Sequence, residues 1–244
     1  MGIPRLARAV AKPTETGDRV GAATLTESVR SWISPPRLLA ISDGTVDARL
    51  LEADPRFRPW LETVGRLQGV AVLLREKHLD DRDTYRLSVA VRSVFRGTLL
   101  ISARPDIAVA AGADGVHLPA AGLPVAAVRR RFRRLLVGVS THSAEEVSAA
   151  FAEGADYVTF GPVFATPSKL RYGPPLGLER LAEVSVLGLP VLALGGVDAQ
   201  RALTALSAGA HGVAGIRCFA DREEAADLVR VAARGSRDPV RSLE

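Results

Sequence analysis

Cysteine and lysine are the scarce reactive side chains in this 244-residue chain, and their scarcity is informative. A single cysteine, Cys218, excludes an internal disulfide and any multi-cysteine zinc site, and it fits a reducing compartment. No apolar run approaches the roughly 18 residues that a membrane-spanning helix needs. Residues 1–36 carry arginines but no continuous apolar stretch, so they do not read as a secretory signal and a cytoplasmic location is expected. No His/Asp/Glu group has metal-ligand spacing, and neither a Gly-x-Ser-x-Gly elbow nor a Walker loop occurs. With 47% hydrophobic and 24% charged residues the chain is not disordered; its length suits one large domain or two small ones.

The net charge of +5 is carried almost wholly by arginine. Such a balance attracts nucleic acid, membrane headgroups or phosphorylated metabolites. The densest run, Arg129-Arg130-Arg131-Phe132-Arg133-Arg134, falls at the end of a predicted helix, where cations complement the helix dipole and read as a solvated end. With no recognition motif or interleaved aromatics, neither nucleic acid nor membrane is an expected partner.

Residues 1–36, with Pro4, Pro13, Pro35 and Pro36, read as an N-terminal extension, and residues 236–244 as a short tail. Between them, over 37–235, short apolar runs recur at 38–42, 70–74, 98–102, 115–118, 135–139, 156–160, 190–194 and 212–216. Amphipathic stretches of helical length separate most of them, among them Ala144–Glu153, Asp198–Ala208 and Arg222–Ala233. Continuous apolar strands alternating with helices imply a parallel sheet buried on both faces. Three turns, Gly112-Ala113-Asp114, Gly154-Ala155-Asp156 and Gly209-Ala210-His211, each close a helix and lead into a strand. Eight such units predict a (β/α)8 TIM barrel, with a helix of only one or two turns between strands three and four. A doubly wound open sheet is the alternative, but its glycine-rich fingerprint is absent after the first strand, where 42–47 reads Ser-Asp-Gly-Thr-Val-Asp.

Active sites of such barrels form at the carboxyl ends of the strands, so the residues following each strand carry the candidates. After strand two, alternation puts Leu73, Arg75 and Lys77 on one side, where two cations suit an anion; ion pairs with Glu76 or Asp80 are the alternative. After strand five, Ser143 and Glu146 fit a capping box, and His142 just before it is a candidate proton shuttle or a histidine that merely packs in the loop. After strand six, the long loop Gly161–Gly177 holds Thr166, Ser168 and Lys169 and reads as a binding loop. The chain has three lysines, Lys12, Lys77 and Lys169, against 29 arginines; two of the three stand at strand ends, where a compact ammonium suits phosphate. After strands seven and eight, Gly195-Gly196 and the turn through Ile216 and Arg217 offer backbone amides, either as a phosphate site or as tight turns. The residues thus point to a phosphorylated small molecule handled by proton transfer.

Taken together, these stretches resemble the thiamine phosphate synthase and TenI-like thiazole tautomerase family over roughly residues 38–235. The carriers are Leu74-Arg75-Glu76-Lys77, Ala113 to Leu118, Gly138-Val139-Ser140-Thr141-His142, Gly154 to Phe164, Thr166-Pro167-Ser168-Lys169 and Leu194-Gly195-Gly196-Val197. The resemblance implies a TIM barrel binding a thiazole phosphate at Thr166, Ser168 and the amides of Gly195, Gly196 and the 215–217 turn. It also implies that Arg75, Lys77 and Lys169 face the pyrophosphate of a pyrimidine substrate in the synthase branch, and that Ser140 contacts the pyrimidine. Arg217 stands where the family usually has serine.

Departures separate the two branches. Leu73 replaces a glutamine, Ser102-Ala103 replaces Asn-Asp, and Pro119-Ala120-Ala121-Gly122 replaces Gly-Gln-Glu-Asp. Both aspartates that would hold magnesium in the synthase are therefore missing, and their loss removes several kcal/mol of transition-state stabilisation from the coupling reaction. The run His117–Gly122 looks like the TenI branch. The reading is therefore a thiazole tautomerase that needs neither metal nor other cofactor, with His142 as general acid/base. The first alternative is a magnesium-dependent thiamine phosphate synthase, and the second a non-catalytic regulator that binds the same phosphate ligand. The expected partner is a small phosphorylated thiazole, and a homo-oligomer stays open. Lys169→Ala is expected to weaken phosphate-ligand affinity tenfold or more, about 1.4 kcal/mol, in a calorimetric titration; equal affinity would take that lysine out of the site.

Overall fold

The apolar runs become strands because each supplies one residue to the barrel interior and the next to the layer beneath the helices. The computed structural model describes residues 34–46, 57–166 and 173–234, and the expected extension and tail lie largely outside them. In chain order the elements are β1 (Leu38–Ile41), α1 (Phe57–Gly65), β2 (Val70–Leu74), α2 (Asp81–Val94), β3 (Leu99–Ser102), α3 (Pro105–Ala110), β4 (Gly115–Leu118) and α4 (Val125–Arg131). They continue as β5 (Leu136–Thr141), α5 (Ala144–Glu153), β6 (Tyr157–Phe160), α6 (Gly177–Ser185), β7 (Val191–Leu194), α7 (Ala199–Ser207), β8 (Gly212–Gly215) and α8 (Arg222–Arg234). All strands are parallel, and β8 pairs back onto β1, so the sheet closes into the expected (β/α)8 barrel.

Two apolar layers follow from the alternation. Leu39, Ile41, Ala71, Leu73, Leu100, Leu136, Tyr157, Leu192 and Ala214 fill the barrel interior. The intervening residues, such as Leu38, Val72, Ile101, Val116, Val137, Val158 and Val213, pack outward against the helices. α5 begins where its capping residue predicts, with the Ser143 hydroxyl accepting from the Glu146 amide at 3.3 Å. The Glu146 carboxylate closes the motif one residue earlier than a capping box, on the His142 amide at 2.6 Å.

At the amino end of the barrel the Gly-Ala-Asp turns do more than cap helices. Gly154 ends α5 at φ 87°, a left-handed conformation that suits glycine. Two residues on, the Asp156 carboxylate accepts from the Val137 amide at 2.7 Å, stapling β6 to β5, and pairs with Arg129. Asp114 repeats the device, accepting from the Leu99 amide at 2.8 Å and pairing with Arg92 at 3.0 Å. Arg129 therefore departs from the solvated helix end expected of its run. It is largely buried, and it also donates to the carbonyls of Gly154 and Leu135, both at 2.7 Å. The third turn keeps the backbone bond, from the His211 amide to the Val191 carbonyl, while its imidazole donates to the Pro35 carbonyl.

Asp156→Ala strips the acceptor from the Val137 amide and leaves Arg129 with its two carbonyl acceptors but no carboxylate. The expected cost is about 2 kcal/mol, seen as a lower urea midpoint at unchanged slope. An unchanged midpoint would mean that Gly154 alone holds the turn.

Candidate active site

At the carboxyl ends of the strands the inward positions turn from apolar to polar. His117 on β4, Ser140 on β5 and Thr159 on β6 form one layer, and the Tyr157 ring reaches it from the apolar layer below. His117 Nδ1 lies 3.1 Å from the Tyr157 hydroxyl, and its Nε2 lies 3.0 Å from Ser140 Oγ and 3.4 Å from Thr159 Oγ1. Gly138 makes this possible, because a Cβ there would stand 2.1 Å from the Tyr157 Cζ atom. Burial, and secondarily the charge of Arg75, pushes the His117 pKa down to about 4, so the ring is neutral. Burial also pushes the Tyr157 phenol up, which keeps it protonated. Ser140 was a candidate from sequence; His117 and Tyr157 were not. The missed signal was the alternation itself, which turns both residues inward, on β4 and β6, the two strands that flank β5.

The strand-two cations part company. β2 ends at Leu74, so alternation still carries Arg75, which is half-buried and acts electrostatically on His117. Lys77 lies beyond the strand in an exposed turn, so the period-two reading does not extend to it. The ion-pair alternative fails for both, since the buried Glu76 carboxylate accepts from the amides of Gly44 (3.3 Å) and Val46 (3.1 Å). Asp80 instead caps α2 by accepting from the Asp83 amide at 2.8 Å. Among the described residues neither Arg75 nor Lys77 has an ion-pair partner.

His142 is exposed at the end of β5, and its Nδ1 lies 2.5 Å from the Gly161 carbonyl oxygen. A carbonyl can only accept, so Nδ1 bears a proton, and the neutral tautomer that this bond selects has its lone pair on Nε2.

The loops after β6, β7 and β8 interlock. Val163 and Phe164 amides donate to the carbonyls of Leu194 (2.8 Å) and Gly195 (3.1 Å). Gly195 and Gly196 have positive φ, and a Cβ at Gly196 would meet the Ala165 carbonyl at 2.6 Å. The close approach that these glycines permit is thus made by the protein's own β6 loop, while the Gly196 amide meets no acceptor among the described residues. Arg217 opens a 3₁₀ turn (Arg217–Phe219) after Ile216 and donates to Thr166 Oγ1 at 3.0 Å, joining the β8 and β6 loops. Ser168 and Lys169 lie outside the described residues. Cys218 is no nucleophile: burial pushes its thiol up to about 12.

The positions that resemble the magnesium carboxylates hold Ala103 and Gly122. Asp106, three residues after Ala103, and Asp81 on α2 are both paired with Arg104. No group of three His, Cys, Asp or Glu suited to a metal occurs among the described residues. These side chains do not fit a hard divalent cation, which takes carboxylate oxygens.

Neutral polar groups and unpaired cations thus meet at the carboxyl-end mouth of a closed parallel (β/α)8 barrel, the end at which enzymes of this fold place their active sites. The family model described as thiamine monophosphate synthase matches residues 47–219, and the chain belongs to that family. Aquifex aeolicus "Putative thiamine-phosphate synthase 2" is 40% identical over 188 residues, spanning 75% of this chain and 97% of its own length. Methanoculleus marisnigri thiamine-phosphate synthase is 41% identical over 174 residues, spanning 69% and 81%. The solved structure of Pyrococcus furiosus thiamine phosphate pyrophosphorylase superposes with a TM-score of 0.69 at 26% identity, covering 82% of this chain and 96% of that one.

Because His117 titrates near 4 when folded and near 6.5 when unfolded, the unfolded chain binds more protons between those values, and stability falls as pH drops through that window. The expected loss is on the order of 3 kcal/mol between pH 7 and 4 from this residue. The half-buried His211, also lowered by burial, acts in the same direction. Urea unfolding of His117→Gln should therefore show a visibly shallower pH slope than wild type; parallel slopes would mean that His117 protonates without penalty.

Proposed function

We propose that the barrel mouth binds a thiazole phosphate and aromatises it by proton transfer through His142, with no metal. The observation that carries this reading is the His142 hydrogen bond to the Gly161 carbonyl, which aims the proton at the backbone and leaves Nε2 as a base. A tautomerisation removes one proton and returns another, which a single imidazole at an exposed strand end can do. Arg75 and Arg217 supply positive charge for the anionic ligand, with the Gly196 amide as a further donor. The resemblance adds Lys77, Ser168 and Lys169 to that set. Ala103 and Gly122 favour this branch, because neither can hold the magnesium that coupling uses.

A second reading is supported by the relatives described above, which carry the name of the synthase or pyrophosphorylase. On that reading the chain joins a pyrimidine pyrophosphate to the thiazole phosphate, and magnesium is held by groups other than 103 and 122.

One assay series separates them. Purified protein with aromatic thiazole phosphate, pyrimidine pyrophosphate and Mg²⁺ is expected to form no thiamine phosphate, followed as thiochrome beside an active synthase; turnover would make the chain a synthase. With the non-aromatic thiazole carboxylate phosphate, aromatisation is expected to persist in EDTA and to fall by about 10²–10⁴ in His142→Ala. Tight binding without either reaction would leave a non-catalytic phosphate-ligand protein.

A further inference from the structure

The polar layer inside the barrel contains a chain of hydrogen bonds whose direction is set at its buried end. The Tyr157 hydroxyl is sealed in the interior, with His117 Nδ1 as its hydrogen-bond partner at 3.1 Å. On the far side of the ring, Nε2 faces two hydroxyls, Ser140 at 3.0 Å and Thr159 at 3.4 Å.

Two arrangements are available to a neutral imidazole. If Nε2 carries the proton, the phenol donates to Nδ1, and the one Nε2–H is shared between two oxygen acceptors. If Nδ1 carries it, the phenol proton has no acceptor in the interior. The single lone pair on Nε2 can then take a proton from only one of the two hydroxyls, and taking it from Thr159 sets the Ser140 and Nε2 lone pairs face to face at 3.0 Å. An unsatisfied buried donor is strongly disfavoured, so the first arrangement is the stable one. Burial and the Arg75 charge keep the ring from taking a second proton near neutral pH.

We propose that Tyr157 is a positioning residue: acting through His117, it makes Ser140 an acceptor on its inner side and so an obligate hydrogen-bond donor to the ligand. Ser140 is half-buried where the layer meets the mouth, and its own proton is the one group of the chain left to point outward. The ligand it recognises is a heteroaromatic ring presenting a lone pair, a ring nitrogen or a ring carboxylate oxygen, rather than a ring N–H. This extends the reading above, on which a heteroaromatic phosphate occupies the mouth, by assigning which edge of the ring the barrel reads.

The test uses Tyr157→Phe, which removes one hydroxyl and keeps the ring against Gly138. In the wild-type protein the ¹⁵N shifts of His117 should report a protonated Nε2, and in Tyr157→Phe that preference should be lost. A protonated Nδ1 in wild type, or an unchanged Nε2–H in the variant, would overturn the relay whatever the protein binds. Calorimetry then uses three probes: aromatic thiazole carboxylate phosphate, pyrimidine pyrophosphate and inorganic phosphate. Whichever heteroaromatic probe wild type binds should lose about tenfold in Tyr157→Phe and in Ser140→Ala, and no more than that in the double variant, with inorganic phosphate changed less than twofold. Additive losses, or equal losses for inorganic phosphate, would overturn the proposal, because a merely structural tyrosine would produce them. If wild type binds neither heteroaromatic probe, the functional reading above fails, and the ¹⁵N result alone decides the relay.

Discussion

A closed parallel barrel has room inside for a few side chains per layer, and each must be apolar or fully hydrogen-bonded. That constraint organises the whole structure. Aliphatic side chains from six of the strands, with Tyr157 from β6, fill the lower interior, and the polar residues gather one step higher, where β4, β5 and β6 end. Tyr157 is the joint between the two, since its ring belongs to the apolar layer and its hydroxyl to the polar one. The joint exists because β5 has glycine at position 138, directly across the β5–β6 ladder from Tyr157. A side chain at 138 would push the ring aside and leave His117 with no partner on Nδ1.

Above that layer, the loops act as one assembly. The β6 loop donates to the end of β7, the paired glycines let it lie close, and Arg201 donates to the Gly196 carbonyl at 2.8 Å while stacking 5.6 Å from the Phe164 ring. Arg217 reaches Thr166 from the other side. A phosphate entering here would meet a rim already held by its own hydrogen bonds, so little ordering cost falls on the ligand.

Strands and helices were legible wherever one period dominated. Ala144–Glu153 matches α5 at both ends because Ser143 caps it and Gly154 stops it, and the short α3 follows from the spacing between β3 and β4. Local rules failed where the decisive contact was remote. Lys77 looked inward by alternation, but β2 ends at Leu74. Arg129 looked solvated in its run of arginines, yet its partners are 25 and 27 residues away, at Gly154 and Asp156. His117 was visible as part of a family stretch but not as a site residue, because its neighbours at 140, 157 and 159 meet it only once the barrel closes.

Ala103 holds a backbone conformation that its own side chain does not favour. Its φ of 62° is a left-handed conformation, and it is the one non-glycine residue so placed among the described residues. Aspartate and asparagine adopt that conformation more readily than alanine, which bears a strain of about 1–2 kcal/mol there. The Ala103 amide still donates to the His117 carbonyl at 2.9 Å, holding the β3 loop against β4. The turn therefore has the shape that suits the aspartate which the resemblance implies at this position. A loop with no remaining duty would relax to an unstrained path; this one persists because its amide braces the strand that carries His117. Alanine at 103 offers no carboxylate, so what the β3 loop contributes to the mouth is the backbone brace beneath His117.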